Sequence, residues 1–208
     1  MIAGPARGFR LIIEPRKEKY YWRGAHEPAV TKAMTRLLKP GQVFWDIGAH
    51  IGYISLIGSR LVGSTGHVHA FEPMPANAKR LGEAVRLNTI TNLTVHQVAV
   101  SDSDRPDVLH GSEATSMWSL LRQDHVGVPI ICVTLDAMLA LLGPPNLIKI
   151  DVEGAELGVL MGAERLLSLH PTLIMELLTD ANRTRAEALL AGRTFERLDR
   201  SNWLVRGT

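Results

Sequence analysis

Pro40-Gly41-Gln42-Val43-Phe44-Trp45-Asp46-Ile47-Gly48-Ala49-His50-Ile51-Gly52, followed by Phe71-Glu72-Pro73 with its acid 20 residues beyond Gly52, is the stretch that decides the fold. Val43 to Trp45 has the composition of a buried strand, and the glycines mark a tight turn. A segment of helical period follows, and a second apolar run ends in Glu72. Strand, glycine turn, helix, strand, acid is the order in which a parallel α/β sheet builds a nucleoside crevice at the carboxyl ends of its strands.

The glycine spacing narrows the ligand. Nicotinamide and flavin dinucleotides call for G-x-G-x-x-G, which brings backbone amides against a pyrophosphate; the pattern here is D-x-G-x-x-x-G. A nucleoside without phosphate suits it better, and S-adenosylmethionine offers complementary groups. Asp46 is expected to face its cationic methionine end, directly or through water, and Glu72 to accept hydrogen bonds from both ribose hydroxyls. Such bonds to a charged acceptor contribute about 1.5–3 kcal/mol each, so loss of Glu72 is expected to weaken cofactor binding strongly. Gly48 is expected to let the chain pass close to the ligand, with Ala49, His50, Gly52 and Pro73 around it. The alternatives are that Asp46 caps the next helix and Glu72 is a solvated turn residue.

Outward from this unit, strand-length apolar runs alternate with helical periods, as in βαβ units. The expected elements are a preliminary strand Phe9–Glu14, helix Glu27–Leu38, strand Val43–Asp46, helix Tyr53–Val62, strand His67–Phe71, helix Ala76–Asn88 and strand Leu93–Val98. After an insert come helix Leu135–Leu142, strand Leu147–Asp151, helix Ala155–Leu167, strand Thr172–Leu177, helix Asp180–Ala191 and two strands around Phe195 and Trp203. The insert, about residues 101–133, is punctuated by Gly111, Gly127 and Pro129, which suits short hairpin strands or a mobile wall on the substrate side. A single domain over 1–208 is expected, with 1–40 as an amino-terminal cap and 41–208 as the core.

The second informative region is Leu147-Ile148-Lys149-Ile150-Asp151-Val152-Glu153-Gly154-Ala155-Glu156, where a buried strand emerges into three acids. A hydroxyl attacks a methyl group only when it is held in line and relieved of its proton. Asp151 or Glu153 is a candidate base, with Glu176 at the end of the next strand standing across. Asp151 and Glu176 are equally candidates for holding Mg²⁺ through oxygen ligands. Residue types alone do not choose between base and metal. The structural alternative is that Asp151 caps the Ala155 helix, Lys149 pairs with an acid, and Glu153 and Glu156 favour the helix amino end.

These blocks, together with Gly24-Ala25-His26-Glu27-Pro28, Met74-Pro75-Ala76-Asn77, Ala99-Val100-Ser101-Asp102, Thr134-Leu135-Asp136 and Pro171-Thr172-Leu173-Ile174-Met175-Glu176, occur in an order that resembles the FkbM-type methyltransferases, from about Gly24 to Leu177. The resemblance implies a class I, adenosylmethionine-dependent enzyme acting mainly as an O-methyltransferase. It implies a Rossmann-like three-layer sandwich whose seven-stranded sheet is mostly parallel with an antiparallel C-terminal strand. It places Ser101 and Asp102 near the adenine. Family members often carry Asn where this chain has His50. Glu27, at the entry to the first long helix, is a candidate for the methionine ammonium, or a first-turn residue of that helix.

Composition bounds the rest. A chain of 208 residues, 46% hydrophobic and 21% charged, buries one sizeable core. It has no run of 18 apolar residues and no signal-like start, so a cytoplasmic protein with no membrane partner is expected. Cys132, the single cysteine, reads as a small buried core residue. The net charge of +2 is too small to argue by itself for nucleic acid, which is not the expected partner. Six arginines after Ala181 are interleaved with Glu187, Glu196 and Asp199, as on a solvated face. Arg16, Lys17, Lys19, Tyr20, Tyr21 and Trp22 read as core and lid packing, and the histidines show no metal-ligand spacing. The expected partners are a small-molecule or sugar hydroxyl and, as an assembly, a homodimer. An Asn/Asp-Pro-Pro-aromatic motif, frequent in nucleic-acid and protein N-methyltransferases, is replaced after the fourth core strand by Asp151-Val152-Glu153-Gly154. Such an enzyme, or a non-catalytic adenosylmethionine-binding module, remains the alternative to an O-methyltransferase.

Overall fold

The computed structural model describes residues 1–16, 18–24, 26–112, 117–120 and 127–207. Its main sheet contains β1 (Val43–Ile47), β2 (His67–Phe71), β3 (Leu93–His96), β8 (Leu147–Ile150), β9 (Thr172–Glu176), β10 (Arg193–Arg197) and β11 (Asn202–Gly207) in the order β10-β11-β9-β8-β1-β2-β3. Strands β9, β8, β1, β2 and β3 run parallel, while β11 is antiparallel to both of its neighbours. This is the seven-stranded, mostly parallel sheet with an antiparallel C-terminal strand expected from the sequence.

Alternation along the strands divides the core. Phe44, Val68, Leu147, Ile174 and Leu204 face one layer with residues of α2 (Pro28–Leu37), α3 (Tyr53–Val62) and α4 (Pro75–Leu87). Trp45, Ile47, Phe71, Ile148, Ile150, Met175 and Val205 face the other, against α5 (Leu135–Leu142), α6 (Glu156–Met161), α7 (Glu164–Ser168) and α8 (Asp180–Leu189). Apolar residues on both faces are what a parallel strand buried between helices requires.

The structure departs from the expected elements in several places. Residues 9–14 form no strand. Phe9, Leu11 and Ile13 do pack inward, which accounts for the alternation, but side chains of α4 and its cap satisfy the backbone: Arg80 donates to the Ile12 carbonyl, and Asn88 exchanges hydrogen bonds with Arg10. The segment is an extended strap leading into a one-turn helix α1 (Lys19–Trp22). The expected helix Ala155–Leu167 is broken into α6 and α7 at Gly162, where a Cβ would strike the Ser101 carbonyl. The expected strand Leu93–Val98 ends at His96, and the chain then enters a second sheet.

That sheet is the insert: β4 (Ala99–Val100), β5 (Arg105–Ser112), β6 (Met117–Ser119) and β7 (Gly127–Val133) in the order β4-β7-β5-β6, with β5 antiparallel to both β6 and β7. Short hairpin strands were expected here. Buried Cys132 packs in its small core with Ala99, Leu109 and Ile130.

Candidate functional site

Asp46 and Lys149 are direct neighbours on β1 and β8. Each interrupts an apolar strand, so both side chains are carried into the layer of α2 and α3, and both are buried. A buried ammonium needs partners, and Lys149 Nζ finds Asp151 Oδ2 at 2.7 Å and Glu27 Oε2 at 3.6 Å. Burial opposes the charge on Lys149, but Asp151, Glu27 and Asp46 raise its pKa above the ordinary value. Glu27 reaches this point because it precedes α2 in a left-handed conformation (φ 44, ψ 59). Its burial disfavours the carboxylate, yet Lys149 and His26 more than offset this and lower its pKa.

One lysine stands among these carboxylates. Asp46 Oδ2 accepts from Ser55 Oγ at 2.5 Å, and burial pushes the Asp46 pKa up to about 6 against the pull of Lys149 and Ser55. Among the described residues, Asp46 Oδ1 and Glu27 Oε2 are buried without a hydrogen-bond partner. Both residues border a chamber of about 40 Å³, also lined by His26, Ala49, Tyr53 and Lys149. That is room for one small polar group.

Glu72 lies at the tip of β2 and is almost fully buried. Its Oε2 accepts from the His50 backbone N–H at 2.8 Å, and its Oε1 from the Met74 N–H at 2.9 Å and from Asn77 Nδ2 at 3.5 Å. Burial outweighs these donors and pushes the carboxyl up to about 7. The glycine loop is held against β2 by the N–H groups of Gly48 and Ala49, which both donate to the Phe71 carbonyl. Gly48 has φ 85, and a Cβ there would overlap the Asp151 carbonyl oxygen. The backbone of the next strand end is thus by itself a reason for this glycine, which also lines the chamber and the larger cavity at the strand ends. Gly52 caps α3, with Leu81 over its Cα.

A cavity of about 360 Å³ opens above these strand ends, within the size range of small-molecule sites. Gly48, Glu72, Pro73, Asp151, Glu153 and Glu176 form its base and rim. Tyr20, Tyr21, His26 and Glu27 form one wall; Val98, Ala99, Val100, Leu109 and Leu120 form the apolar wall opposite. His50 also lines it, with Nδ1 3.1 Å from the Tyr21 hydroxyl and Nε2 4.0 Å from Glu18 Oε1. Burial lowers the His50 pKa despite Glu18. Ser101 and Asp102 do not line the cavity: Ser101 is buried against Gly162, and Asp102 pairs with Arg105 at 2.6 Å.

Asp151 and Glu176 both line the cavity base, near enough for Asp151 to act on the Glu176 carboxyl. Burial and then Asp151 raise the Glu176 pKa, while Ser201 Oγ at 3.1 Å opposes the rise. Glu153 lies on the rim in a left-handed conformation (φ 54). Asp151 does not cap the following helix. Glu156 secures that turn instead, its Oε1 accepting from the N–H groups of Val152 and Gly154 at 3.1 and 2.9 Å. The fit to Mg²⁺ is poor: among the described residues no three His, Cys, Asp or Glu side chains group as metal ligands, and the Lys149 ammonium already stands 2.7 Å from Asp151 Oδ2.

The structure thus brings Glu27, Gly48, His50, Glu72, Pro73, Asp151, Glu153 and Glu176 around one cavity, with Asp46 and Ala49 beneath it and Gly52, Ser101 and Asp102 outside its lining. Sequence reasoning paired Lys149 with an acid but did not foresee its place beside both Asp151 and Glu27, and it read Tyr20 and Tyr21 as core and lid packing without joining His26 to them in one wall. The signal for Lys149 was available, since Trp45-Asp46-Ile47 and Ile148-Lys149-Ile150 place opposite charges at matching depth in adjoining strands.

Residues 46–197 match the methyltransferase FkbM domain. No curated protein matches the chain in sequence. Among solved structures it is similar to a precorrin-6y C5,15-methyltransferase from Geobacter metallireducens (TM-score 0.59, 16% identity, covering 97% of this chain and 94% of that one). It is also similar to a SAM-dependent methyltransferase from Aquifex aeolicus (0.53, 14%, 94% and 98%) and to Aeropyrum pernix fibrillarin with natively bound S-adenosyl-L-methionine (0.53, 12%, 83% and 68%). At these identities the likeness speaks for the fold, and the matched domain, which spans most of the chain and runs through both acid-bearing regions, speaks for descent: the chain belongs to the FkbM methyltransferase family.

Proposed function

We propose that the chain is an S-adenosylmethionine-dependent O-methyltransferase acting on a hydroxyl of a small molecule or sugar. The observation that carries the cofactor assignment is the buried carboxylate oxygen Asp46 Oδ1, left without a hydrogen-bond donor beside the strand-end cavity, with Glu27 Oε2 next to it held only by the Lys149 ammonium at 3.6 Å. A buried anionic acceptor without a donor costs free energy unless a ligand supplies one, and an ammonium is the group that answers it. Glu72 would accept from the ribose hydroxyls, and Val98, Ala99 and Val100 would cover the base.

The cofactor supplies an electrophilic methyl group on a sulfonium. The protein's part is to hold the acceptor in line, exclude water and take one proton. Asp151 is the proton acceptor in this account, with one oxygen fixed by Lys149 and with Glu176 beside it on the cavity lining. Asp151→Asn is expected to lower kcat by about 10²–10⁴, the usual range for a general base, with adenosylhomocysteine affinity changed less than threefold. Full turnover in that variant would remove Asp151 from the chemistry. Conversion of adenosylmethionine to adenosylhomocysteine, followed by mass spectrometry against a panel of hydroxylated acceptors, tests the activity itself. Binding without turnover on any acceptor would favour a non-catalytic module, and methylation of RNA or protein alone would overturn the hydroxyl reading.

A further inference from the structure

A second concavity, of about 720 Å³, opens at the same edge of the main sheet one strand farther out. It is lined by Leu177, Thr179, Arg183, Arg197, Arg200 and Trp203 among others. It shares a wall with the first cavity: Ser201, on its lining, donates to Glu176, on the lining of the other. Its charge is unusual in how it is held. Arg197 donates through Nε and Nη2 to the carbonyls of Asp199 and Arg200 at 2.7 and 2.9 Å. Carbonyls fix a guanidinium without neutralising it. Among the described residues, neither Arg197 nor Arg200 pairs with a carboxylate; the nearby Asp199 carboxylate is taken up by the N–H groups of Ser201 and Asn202 and by the Asn202 amide. Arg183 is balanced by Glu187 at 2.7 Å. Arg183 and Arg197 both lie against the Trp203 ring, 5.5 and 5.6 Å from its centroid, so that an indole and two guanidiniums meet on the lining of this concavity.

We propose that this concavity holds the anionic arm of the methyl acceptor, a sugar-like polyol bearing a carboxylate or a phosphate, while a hydroxyl of the same molecule reaches Asp151 and Glu176 across the shared wall. Planar guanidinium forks bind both oxyanions in the same way, and an indole offers the apolar face of a sugar ring a flat surface. The inference rests on the hydroxyl-methylation reading and gives its substrate a class.

The test is a titration of the full chain, with and without adenosylhomocysteine, with glucuronate, glucose 6-phosphate and glucose, followed by tryptophan fluorescence; Trp203→Phe assigns the response. At least one anionic sugar is expected to bind at least tenfold more tightly than glucose. Arg200→Ala should weaken it about tenfold, the equivalent of about 1.4 kcal/mol, and Arg200→Lys should recover part of the loss. Which anionic sugar responds distinguishes a carboxylate from a phosphate source. Equal binding of glucose, no binding of either anion, indifference to Arg200→Ala, or tighter binding of an RNA oligonucleotide would each overturn the proposal. Calorimetry with adenosylhomocysteine on the same samples keeps its failure distinct, because titration of the unliganded chain reports on this concavity even if the cofactor does not bind.

Discussion

Glu72 gives up its water at the tip of β2 and keeps its proton up to about pH 7. A protonated carboxyl offers fewer lone pairs to ribose hydroxyls than an ionised one. Each pH unit below the pKa therefore costs nearly tenfold in affinity, and adenosylhomocysteine should bind about tenfold more tightly at pH 8 than at pH 6. Calorimetry across that range checks the slope, and Glu72→Gln should flatten it. Gly48 is a second residue whose demand is local. Gly48→Ala places a Cβ on the Asp151 carbonyl at φ 85, so it should destabilise the chain by more than the ~1–2 kcal/mol of a left-handed residue alone, read as a lower urea midpoint. The need for glycine was legible in the sequence, but its cause was not: the partner is a backbone atom about 100 residues away, and a turn motif does not say what it turns against.

Strands β1 and β8 and the amino-terminal strap show what legibility means for an element. Apolar runs and turn residues located every strand of the main sheet near its observed place, because a strand buried on both faces has little choice of composition. They put a charge inside each of these two strands but did not announce that Asp46 and Lys149 stand side by side, since register follows from tertiary pairing. Lys149→Met should leave Asp46, Glu27 and Asp151 buried without their cation, at a cost of about 3–5 kcal/mol, measured by urea denaturation. Loss of well under 1 kcal/mol would mean those acids are not held by Lys149. The strap misled for the opposite reason. Phe9, Leu11 and Ile13 alternate as in a strand, but alternation reports a buried face and not a hydrogen-bonding neighbour. Here Arg80 and Asn88 took the neighbour's place.

For the whole molecule, the acids gathered for a cation make the unliganded fold sensitive to base. Glu72, at about 7, and Glu176, at about 8, stay protonated in the folded chain well above the ordinary 4.5. An unfolded chain has released both protons by pH 6.5, so it binds fewer protons than the folded one and stability falls as pH rises through about 6.5–8.5. The histidines whose pKa is lowered by burial, His50, His67, His69 and His96, act in the opposite direction, but only below about 6.5. The urea midpoint of the free chain should therefore decline across that window. Fold class and the strand-end crevice were readable because glycine spacing and strand-end acids are local; the wall formed by Tyr20, Tyr21 and His26 was not, since it is brought to the crevice by tertiary packing. The central claim is that a sulfonium nucleoside sits over the tips of β1 and β2. Titration of adenosylmethionine into the wild-type chain and into Glu72→Ala tests it most directly: the account predicts one site in the wild type and at least tenfold weaker binding in the variant, and it is contradicted by no binding at all or by equal affinity in the two.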